Sequence, residues 1–166
     1  MAFSLFKKSQ SKPVAKEESH NGPLYFDLKV KNIIQETKDA ISIVFEQPAT
    51  RIVYKPGQFL TLIAPIEGKE IRRAYSLCSS PFVDNDLAVS VKRVEGGKMS
   101  NWLPDNLKVG DTLKIMTPTG HFTTEYDKTH KRHLVMFAGG SGITPMMSLI
   151  KSLLIQEPDS IVSLIY

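Results

Sequence analysis

A glycine-rich stretch between an apolar run and an amphipathic segment has the composition of a phosphate-binding loop. It reads Gly139-Gly140-Ser141-Gly142-Ile143-Thr144-Pro145. A helix start offers unpaired N–H groups and the positive end of the helix dipole, which suit a pyrophosphate. Gly140 and Gly142 would let the backbone approach that group closely. The alternative is a glycine-rich connection capped by Thr144, and Pro145 stands where the common dinucleotide pattern has a third Gly or Ala.

A second group of residues, Arg72-Arg73-Ala74-Tyr75-Ser76, combines a cation, an aromatic ring and a hydroxyl. On a strand, Arg73 and Tyr75 project to one face and Ser76 projects to the other. A guanidinium binds phosphate as a bidentate fork, a ring offers a stacking surface, and a hydroxyl can bond the edge of a heterocycle. Taken alone, the stretch also fits an edge strand with an exposed arginine and a half-buried tyrosine.

A third group is a glycine turn that runs into a helix start, Glu95-Gly96-Gly97-Lys98-Met99-Ser100-Asn101-Trp102. Backbone N–H groups in such a turn, together with the Ser100 hydroxyl, favour binding of a phosphate. The alternative is a hairpin turn in which Ser100 is an ordinary N-cap. Trp102 is expected to belong to the core.

Composition excludes several classes of protein. The chain has 166 residues, 42% of them apolar and 23% charged, which is typical of a folded domain. Its one cysteine, Cys78, excludes a disulfide framework, a zinc finger or an iron–sulfur cluster built from its own thiolates. No apolar run is long enough for a membrane span, and a net charge of +4 is too small to indicate nucleic-acid binding. The first residues do not resemble a signal peptide, so we expect a cytoplasmic protein.

The pattern along the chain predicts four segments. Residues 1–22 are polar and are expected to be a disordered tail. Residues 23–127 contain short alternating runs separated by turn residues, which predict a six-stranded antiparallel barrel or sandwich with one short helix at 100–107. The predicted strands are residues 26–30, 40–45, 58–64, 71–78, 86–92 and 112–116.

The last two segments change character. Residues 128–133 form a polar, basic linker, and residues 134–166 read as strand, glycine loop, helix and strand, the first β-α-β unit of a parallel sheet. The strands at 134–138 and 161–166 are continuous apolar runs of the kind that is buried on both faces. The pattern therefore predicts an antiparallel barrel or sandwich followed by the start of an α/β domain with a parallel sheet.

In this order, the three groups resemble the motifs of the ferredoxin–NADP reductase superfamily. They match its R-x-Y-S flavin motif, its G-x-x-S phosphate motif and the G-G-S-G-I-T-P start of its nicotinamide domain, and 56–59 match its P-G-Q-F stretch. Residues 71–81 (IRRAYSLCSSP) and 94–122 are more similar still to reductase components of oxygenases, such as those of phenylacetate degradation. The resemblance extends from about residue 24 to residue 166. It implies a six-stranded antiparallel flavin-binding barrel followed by the first β-α-β unit of a Rossmann-like nicotinamide-binding domain.

The resemblance implies a role for each group. Arg73 would bind the FAD pyrophosphate, Tyr75 would lie against the isoalloxazine ring, and Ser76 would bond near the reactive flavin nitrogen, so that Tyr75 and Ser76 are the expected catalytic residues. Further FAD contacts are expected from the backbone of Val91, Lys92 and Arg93 and from Gly97, Lys98, Met99 and Ser100. NAD(P)H would be held by Gly140, Ser141, Gly142, Ile143 and Thr144, with Thr144 near the nicotinamide. No metal site is expected in this chain.

The implied function is electron transfer from NAD(P)H through FAD to an iron–sulfur acceptor of an oxygenase. Family members have a longer nicotinamide domain and often a [2Fe–2S] domain, so we expect 134–166 to be an incomplete domain and the chain to show little turnover. That segment would then either associate with a second copy, giving a homodimer, or be cut by trypsin near Lys131 and Arg132. The alternatives are a flavin-binding protein without activity and a small barrel that binds another ligand or nucleic acid.

Overall fold

A computed structural model describes residues 24–166, so the predicted tail lies outside the described residues. Six antiparallel strands form one sheet in the order β4-β3-β6-β1-β2-β5, which confirms the predicted six-stranded architecture. The strands are β1 (Tyr25–Thr37), β2 (Ala40–Phe45), β3 (Phe59–Ile66), β4 (Lys69–Ser76), β5 (Leu87–Lys92) and β6 (Thr112–Thr119), and helix α1 (Lys98–Asn106) lies between β5 and β6.

The sheet curves into a barrel that closes at one end only. Its two terminal strands, β4 and β5, meet through a bridge between Leu77 and Val89. The Cys78 N–H donates to the Ala88 carbonyl at 2.9 Å next to this bridge. Inward-facing residues at alternating positions fill the interior, as the period-two pattern requires; fully buried examples are Phe45, Leu60, Leu62, Leu87 and Ile115.

Helix α1 covers one end of the barrel. Its Met99 and Leu103 are buried in the barrel core, and Trp102 packs against that core as expected. The Pro56-Gly57 turn packs closely against the backbone at Phe122. Gly57 has a φ of +90°, and a Cβ there would lie 1.9 Å from the Phe122 carbonyl oxygen, so only glycine fits.

The remaining residues form a small α/β unit, defined here as β7 (His133–Phe137), a 3-10 turn (Gly140–Gly142), helix α2 (Ile143–Gln156) and β8 (Ile161–Ile165). Strands β7 and β8 are parallel, which confirms the predicted β-α-β order. The pair is covered on one face only, although continuous apolar strands of this kind are normally buried on both faces. Val135 is 49% exposed and Phe137 67% exposed, because α2 covers one face of the pair and nothing among the described residues covers the other.

Candidate functional site

The barrel has a gap between β4 and β5. Beyond the Leu77–Val89 bridge, the register of the two strands would place Tyr75 opposite Val91, but no ladder of hydrogen bonds continues there. Val91 pairs instead with Ile41 on β2, on its other side. The edges of β4 and β5 that face each other therefore keep unpaired backbone groups, which can bind a planar ligand with polar edges.

Three of the predicted residues line the β4 side of this gap. The Arg73 guanidinium is exposed and donates to the Arg72 carbonyl at 2.7 Å; no described carboxylate pairs with it. Tyr75 is half-buried against the core, and burial raises the pKa of its hydroxyl while the nearby Arg73 opposes that shift. Ser76 is half-buried on the opposite face, as the strand period predicts.

Arg72, the neighbour of Arg73, is occupied by protein groups. Its guanidinium donates to Glu70 at 2.8 Å and to the Tyr25 hydroxyl at 3.4 Å. It also lies 5.8 Å from the centre of the Tyr25 ring. Of the two adjacent arginines, Arg73 is the one that keeps its charge available for an anion.

The glycine turn lies beside the gap because α1 packs against β3, β4 and β5. The alternative in which Ser100 is the N-cap is wrong, since the helix begins at Lys98 and its N-cap is Gly97. The Ser100 hydroxyl instead accepts from the Val94 N–H at 3.3 Å and so closes the turn. With Met99 in the core, this turn can offer a ligand mainly the backbone N–H groups of its first helical residues.

Two of the residues predicted to contact FAD from β5 and its end, Val91 and Arg93, also make contacts within the protein that help to hold the glycine turn in place. The Val91 side chain is buried in the core, and the Arg93 N–H donates to the Asp39 carbonyl at 2.7 Å. The Arg93 guanidinium donates to Asp105 at 2.5 Å, and this bond lowers the pKa of the Asp105 carboxyl. Arg93 thus ties the end of β5 to α1 through its side chain.

The glycine loop faces the outside of the barrel across an open cleft. Gly140 has a φ of +53°, which favours glycine. The alternative that Thr144 caps the helix is wrong, because α2 begins at Ile143 without a side-chain cap. The Thr144 hydroxyl is buried and donates to the Ser141 carbonyl at 2.9 Å, which fixes the shape of the loop.

The cleft has a volume of about 520 Å³ and brings the glycine loop next to the barrel strands. Lys92, one of the predicted FAD contacts, lines it together with Gly140, so the two predicted binding regions adjoin. The residues that line it include Ala40, Ser42, Cys78, Ser90 and Lys92 on the barrel and Gly140, Ser141, Ile143, Thr144 and Met147 on the α/β unit.

Sequence reasoning missed a row of small polar side chains on the wall of this cleft. The Ser42 and Ser90 hydroxyls are 2.8 Å apart, and Ser90 donates to the Cys78 sulfur at 3.5 Å. Burial raises the pKa of the Cys78 thiol, so it is a weak nucleophile. The signal was present in the outward positions of β2 and β5, where serines alternate with core valine and isoleucine.

Two features are absent from residues 24–166. No group of three or more His, Cys, Asp or Glu side chains is placed to hold a metal ion. No helix in this part of the chain is both long and apolar enough to cross a membrane.

An antiparallel barrel that is open between two strands and is followed by a β-α-β unit with a glycine loop defines a class of flavin- and nucleotide-binding reductases. The oxidoreductase FAD-binding domain family matches residues 25–124, and the chain belongs to this family. The resemblance to ferredoxin–NADP reductases seen in the sequence is thereby confirmed.

Relatives with assigned functions include a subunit of an epoxidase and a ferredoxin reductase component of a monooxygenase. The chain is 38% identical over 145 residues to one of the subunits of the 1,2-phenylacetyl-CoA epoxidase of Escherichia coli strain K12, a match that covers 86% of this chain and 40% of the relative. It is 41% identical over 155 residues to the ferredoxin reductase component of a 3-ketosteroid-9-alpha-monooxygenase of Mycobacterium tuberculosis, covering 87% of this chain and 42% of that protein.

A solved structure with the same fold is phthalate dioxygenase reductase, described as a modular structure for electron transfer from pyridine nucleotides to [2Fe-2S]. It superposes with a TM-score of 0.70 at 28% identity, over 84% of this chain and 42% of that one. The chain therefore spans about two fifths of the length of these relatives.

Proposed function

We propose that this chain forms the flavin site and the first part of the nucleotide site of an FAD-dependent NAD(P)H oxidoreductase, the reductase component of an oxygenase. The observation that carries the proposal is the gap between β4 and β5, where unpaired strand edges lie beside an arginine without a carboxylate partner. The cleft next to this gap opens onto the glycine loop. A ligand in the gap and a ligand in the cleft would therefore lie next to each other.

Each residue near the gap has a role in this proposal. Arg73 binds the FAD pyrophosphate, and the backbone N–H groups of Lys98 and Ser100 at the start of α1 bind it from the other side. Tyr75 packs against the flavin ring. Ser76, whose hydroxyl makes no hydrogen bond within residues 24–166, donates to the ring edge.

Bound FAD would supply the redox chemistry, accepting a hydride and releasing single electrons. The protein contributes positioning, because hydride transfer requires the two rings within about 3.5 Å of each other and aligned. The glycine loop, held in shape by Thr144 and Ser141, binds the NAD(P)H pyrophosphate and presents the nicotinamide to the cleft. No general acid or base is needed for this step.

The partners in this proposal are NAD(P)H as electron donor and an iron–sulfur or oxygenase protein as acceptor. Support comes from the names of the relatives, which are components of oxygenase systems. A [2Fe-2S] group would belong to another domain or protein, because the single thiol of Cys78 cannot hold one. A cytoplasmic location remains a prediction.

The first experiment identifies the flavin. The purified chain is mixed with equal amounts of FAD and FMN, separated from free flavin, and its absorption spectrum is recorded. We expect FAD to be retained, because Arg73 and the α1 turn form two phosphate-binding elements that suit a diphosphate. Flavin released by heat is then identified by chromatography. FMN as the main species, or a colourless protein, would contradict the proposal.

The second experiment compares two adjacent arginines. Arg73→Ala is expected to weaken FAD binding ten- to a hundredfold, since a charge-assisted hydrogen bond contributes about 1.5–3 kcal/mol. Arg72→Ala is the matched control, because Arg72 already binds Glu70 and Tyr25. Flavin fluorescence titration measures both affinities. Equal losses would show that Arg73 is not the phosphate ligand.

A further inference from the structure

Helix α2 is attached to the barrel by buried hydroxyl groups. Ser79 and Ser80 on the barrel and Ser148 and Ser152 on the helix are all at most 1% exposed. We call these four residues the serine seam. The apolar core of the barrel contains no residue of α2, and the seam and the Lys151–Asp84 ion pair at 3.1 Å are polar contacts between the two units.

The hydrogen bonds of the seam can be assigned one proton at a time. The Ser148 hydroxyl donates to the Ser79 carbonyl at 2.6 Å. The Ser152 hydroxyl donates to the Ser148 carbonyl at 2.7 Å, so at the 2.8 Å contact between Ser80 and Ser152 it is Ser80 that donates. Each of these donors therefore has one acceptor, and the bonds form together at only one position of α2 relative to the barrel.

Three further contacts hold the barrel side of the seam. The Ser79 hydroxyl accepts from the Ala88 N–H at 3.0 Å and lies 2.8 Å from the Tyr54 hydroxyl. The Ser80 N–H donates to Asp84 at 2.7 Å. Because its own groups are already bound, this loop presents a rigid surface to α2.

The seam lies close to both proposed ligand sites along the chain. Ser79 follows Ser76, at the end of the flavin strand, by three residues, and Ser148 follows Thr144, in the glycine loop, by one helical turn. Hydrogen bonds depend on direction as well as distance, whereas apolar contacts have no preferred direction. A helix held by these bonds cannot slide along its axis without breaking them.

We propose that Ser148 and Ser152 are positioning residues, which fix the glycine loop, and hence the nicotinamide, against the flavin strand. The inference rests on the proposed function. In this proposal the seam aligns the nicotinamide ring with the flavin ring, and the glycine loop itself binds the nucleotide. A displacement of about 1 Å can slow such a reaction about a hundredfold, so loss of the seam should affect rate more than affinity.

The test compares the double variant Ser148→Ala/Ser152→Ala with Ser163→Ala in the full chain. Ser163 belongs to the same α/β unit, but its hydroxyl bonds His133 at 2.9 Å and does not touch the barrel. Three quantities are measured for each FAD-loaded protein: FAD affinity, NAD(P)H affinity, and the rate of flavin reduction in a single anaerobic turnover at saturating NADH or NADPH.

We expect the double variant to reduce its flavin about ten- to a hundredfold more slowly, with both affinities changed by no more than about threefold. Ser163→Ala should match the unmodified chain in all three. An unchanged rate in the double variant would overturn the proposal. A parallel loss of FAD affinity would also overturn it, because the substitutions would then act by disrupting the barrel.

Amide hydrogen exchange without any ligand gives a second readout. We expect faster exchange in α2 in the double variant, unchanged exchange in the barrel strands, and no effect of Ser163→Ala. Unchanged exchange in α2 would show that the seam does not attach this helix to the barrel, whatever the rate of flavin reduction. If the unmodified chain takes up no FAD, or if its bound FAD is not reduced by NADH or NADPH, the proposed function fails for this chain, and the role of the seam in ring alignment fails with it.

Discussion

The barrel and the α/β unit are both rich in apolar strands, yet they are stabilised differently. In the barrel, inward-facing residues from five strands and from α1 form one continuous buried cluster, and Ile71 and Tyr75 of β4 pack against it. In the α/β unit, few apolar side chains are buried, chiefly Met136, Leu149 and Leu153, while Phe137 and Ile165 are exposed. The barrel is therefore stabilised by its own core, whereas the α/β unit depends on polar contacts at the serine seam and at Glu157.

Two phenylalanines give the largest expected difference between the regions. Phe45 is fully buried in the barrel, whereas Phe137 is 67% exposed on β7. We expect Phe45→Ala to lower the free energy of unfolding by about 3–5 kcal/mol, and Phe137→Ala to change it by about 0.5 kcal/mol or less. Denaturant unfolding followed by circular dichroism measures both. Comparable losses would mean that the exposed face of the α/β unit is covered.

The second prediction concerns a buried carboxylate that holds the α/β unit to the segment before it. Glu157 is fully buried and accepts two hydrogen bonds from Arg132, at 2.7 and 2.9 Å. It also accepts hydrogen bonds from the Ser160 hydroxyl and the Asp127 N–H. Its carboxylate lies 3.0 Å from His130 Nδ1. Burial works to raise the pKa of Glu157, but these partners lower it to about 2.

The sign of the pH dependence follows from that lowered pKa. Because an unfolded glutamate titrates near 4.3, Glu157 stabilises the fold above that pH, and its contribution is lost as the pH falls toward 2. We expect Glu157→Gln to lower stability at pH 7 and to flatten the dependence between pH 4.5 and pH 2. Asp159→Asn is the control, since Asp159 forms an exposed pair with Lys131. An unchanged slope in Glu157→Gln would contradict this assignment.

The third prediction concerns the uncovered face of the parallel pair, made of Val135, Phe137, Ile161 and Ile165. We expect concentration-dependent association of the chain, because burial of each such side chain is worth about 1.5–3 kcal/mol. The double variant Phe137→Ser/Ile165→Ser should shift light scattering toward the monomer. Val53→Ser, at an 84% exposed position on the barrel, should not.

Limited trypsin digestion tests the other expected behaviour of this segment. Lys131 is exposed, whereas Arg132 is held by Glu157, so we expect cleavage to favour Lys131 and to increase in Glu157→Gln. A monomer at high concentration that also resists trypsin would contradict both outcomes.

The sequence predicts the elements of this fold better than their ends. The alternating pattern located all six barrel strands, but β1 continues to Thr37, well beyond the predicted residue 30. Its second half carries exposed polar residues such as Asn32 and Gln35, which give no apolar period even though they pair with β2. Backbone pairing, unlike core burial, leaves little trace in the pattern of side chains.

The site could be predicted in part. The order of the three motifs indicated that Arg73, the α1 turn and the glycine loop serve one site, but it did not indicate that β4 and β5 separate beyond Leu77. It also gave no sign of the serine seam, because Ser148 and Ser152 are polar residues that the helical pattern assigns to the solvent side. Glu157 was missed for a related reason: a charged residue is buried only where several partners converge, and these come from distant positions.

The smallest expected effect separates two tyrosines at the boundary between the barrel and α2. The Tyr54 hydroxyl lies 2.8 Å from Ser79, so we expect Tyr54→Phe to cost about 0.5–1.5 kcal/mol. The half-buried Tyr126 ring packs edge-on against Phe82 at 5.8 Å. Its hydroxyl is buried and lies beside Ser152 without a hydrogen bond of normal geometry to any described residue. Burial raises the pKa of Tyr126 to about 12.

Removing a buried hydroxyl that lacks a partner relieves a desolvation cost, so Tyr126→Phe should leave the free energy of unfolding unchanged or raise it by about 0.5 kcal/mol. The ring and its contact with Phe82 remain in place, so packing is a constant in the comparison. Thermal unfolding of the two Phe variants at matched concentration measures the difference. A loss in Tyr126→Phe as large as that in Tyr54→Phe would show that the Tyr126 hydroxyl is bonded in solution, and that the polar contacts of α2 extend beyond the four serines.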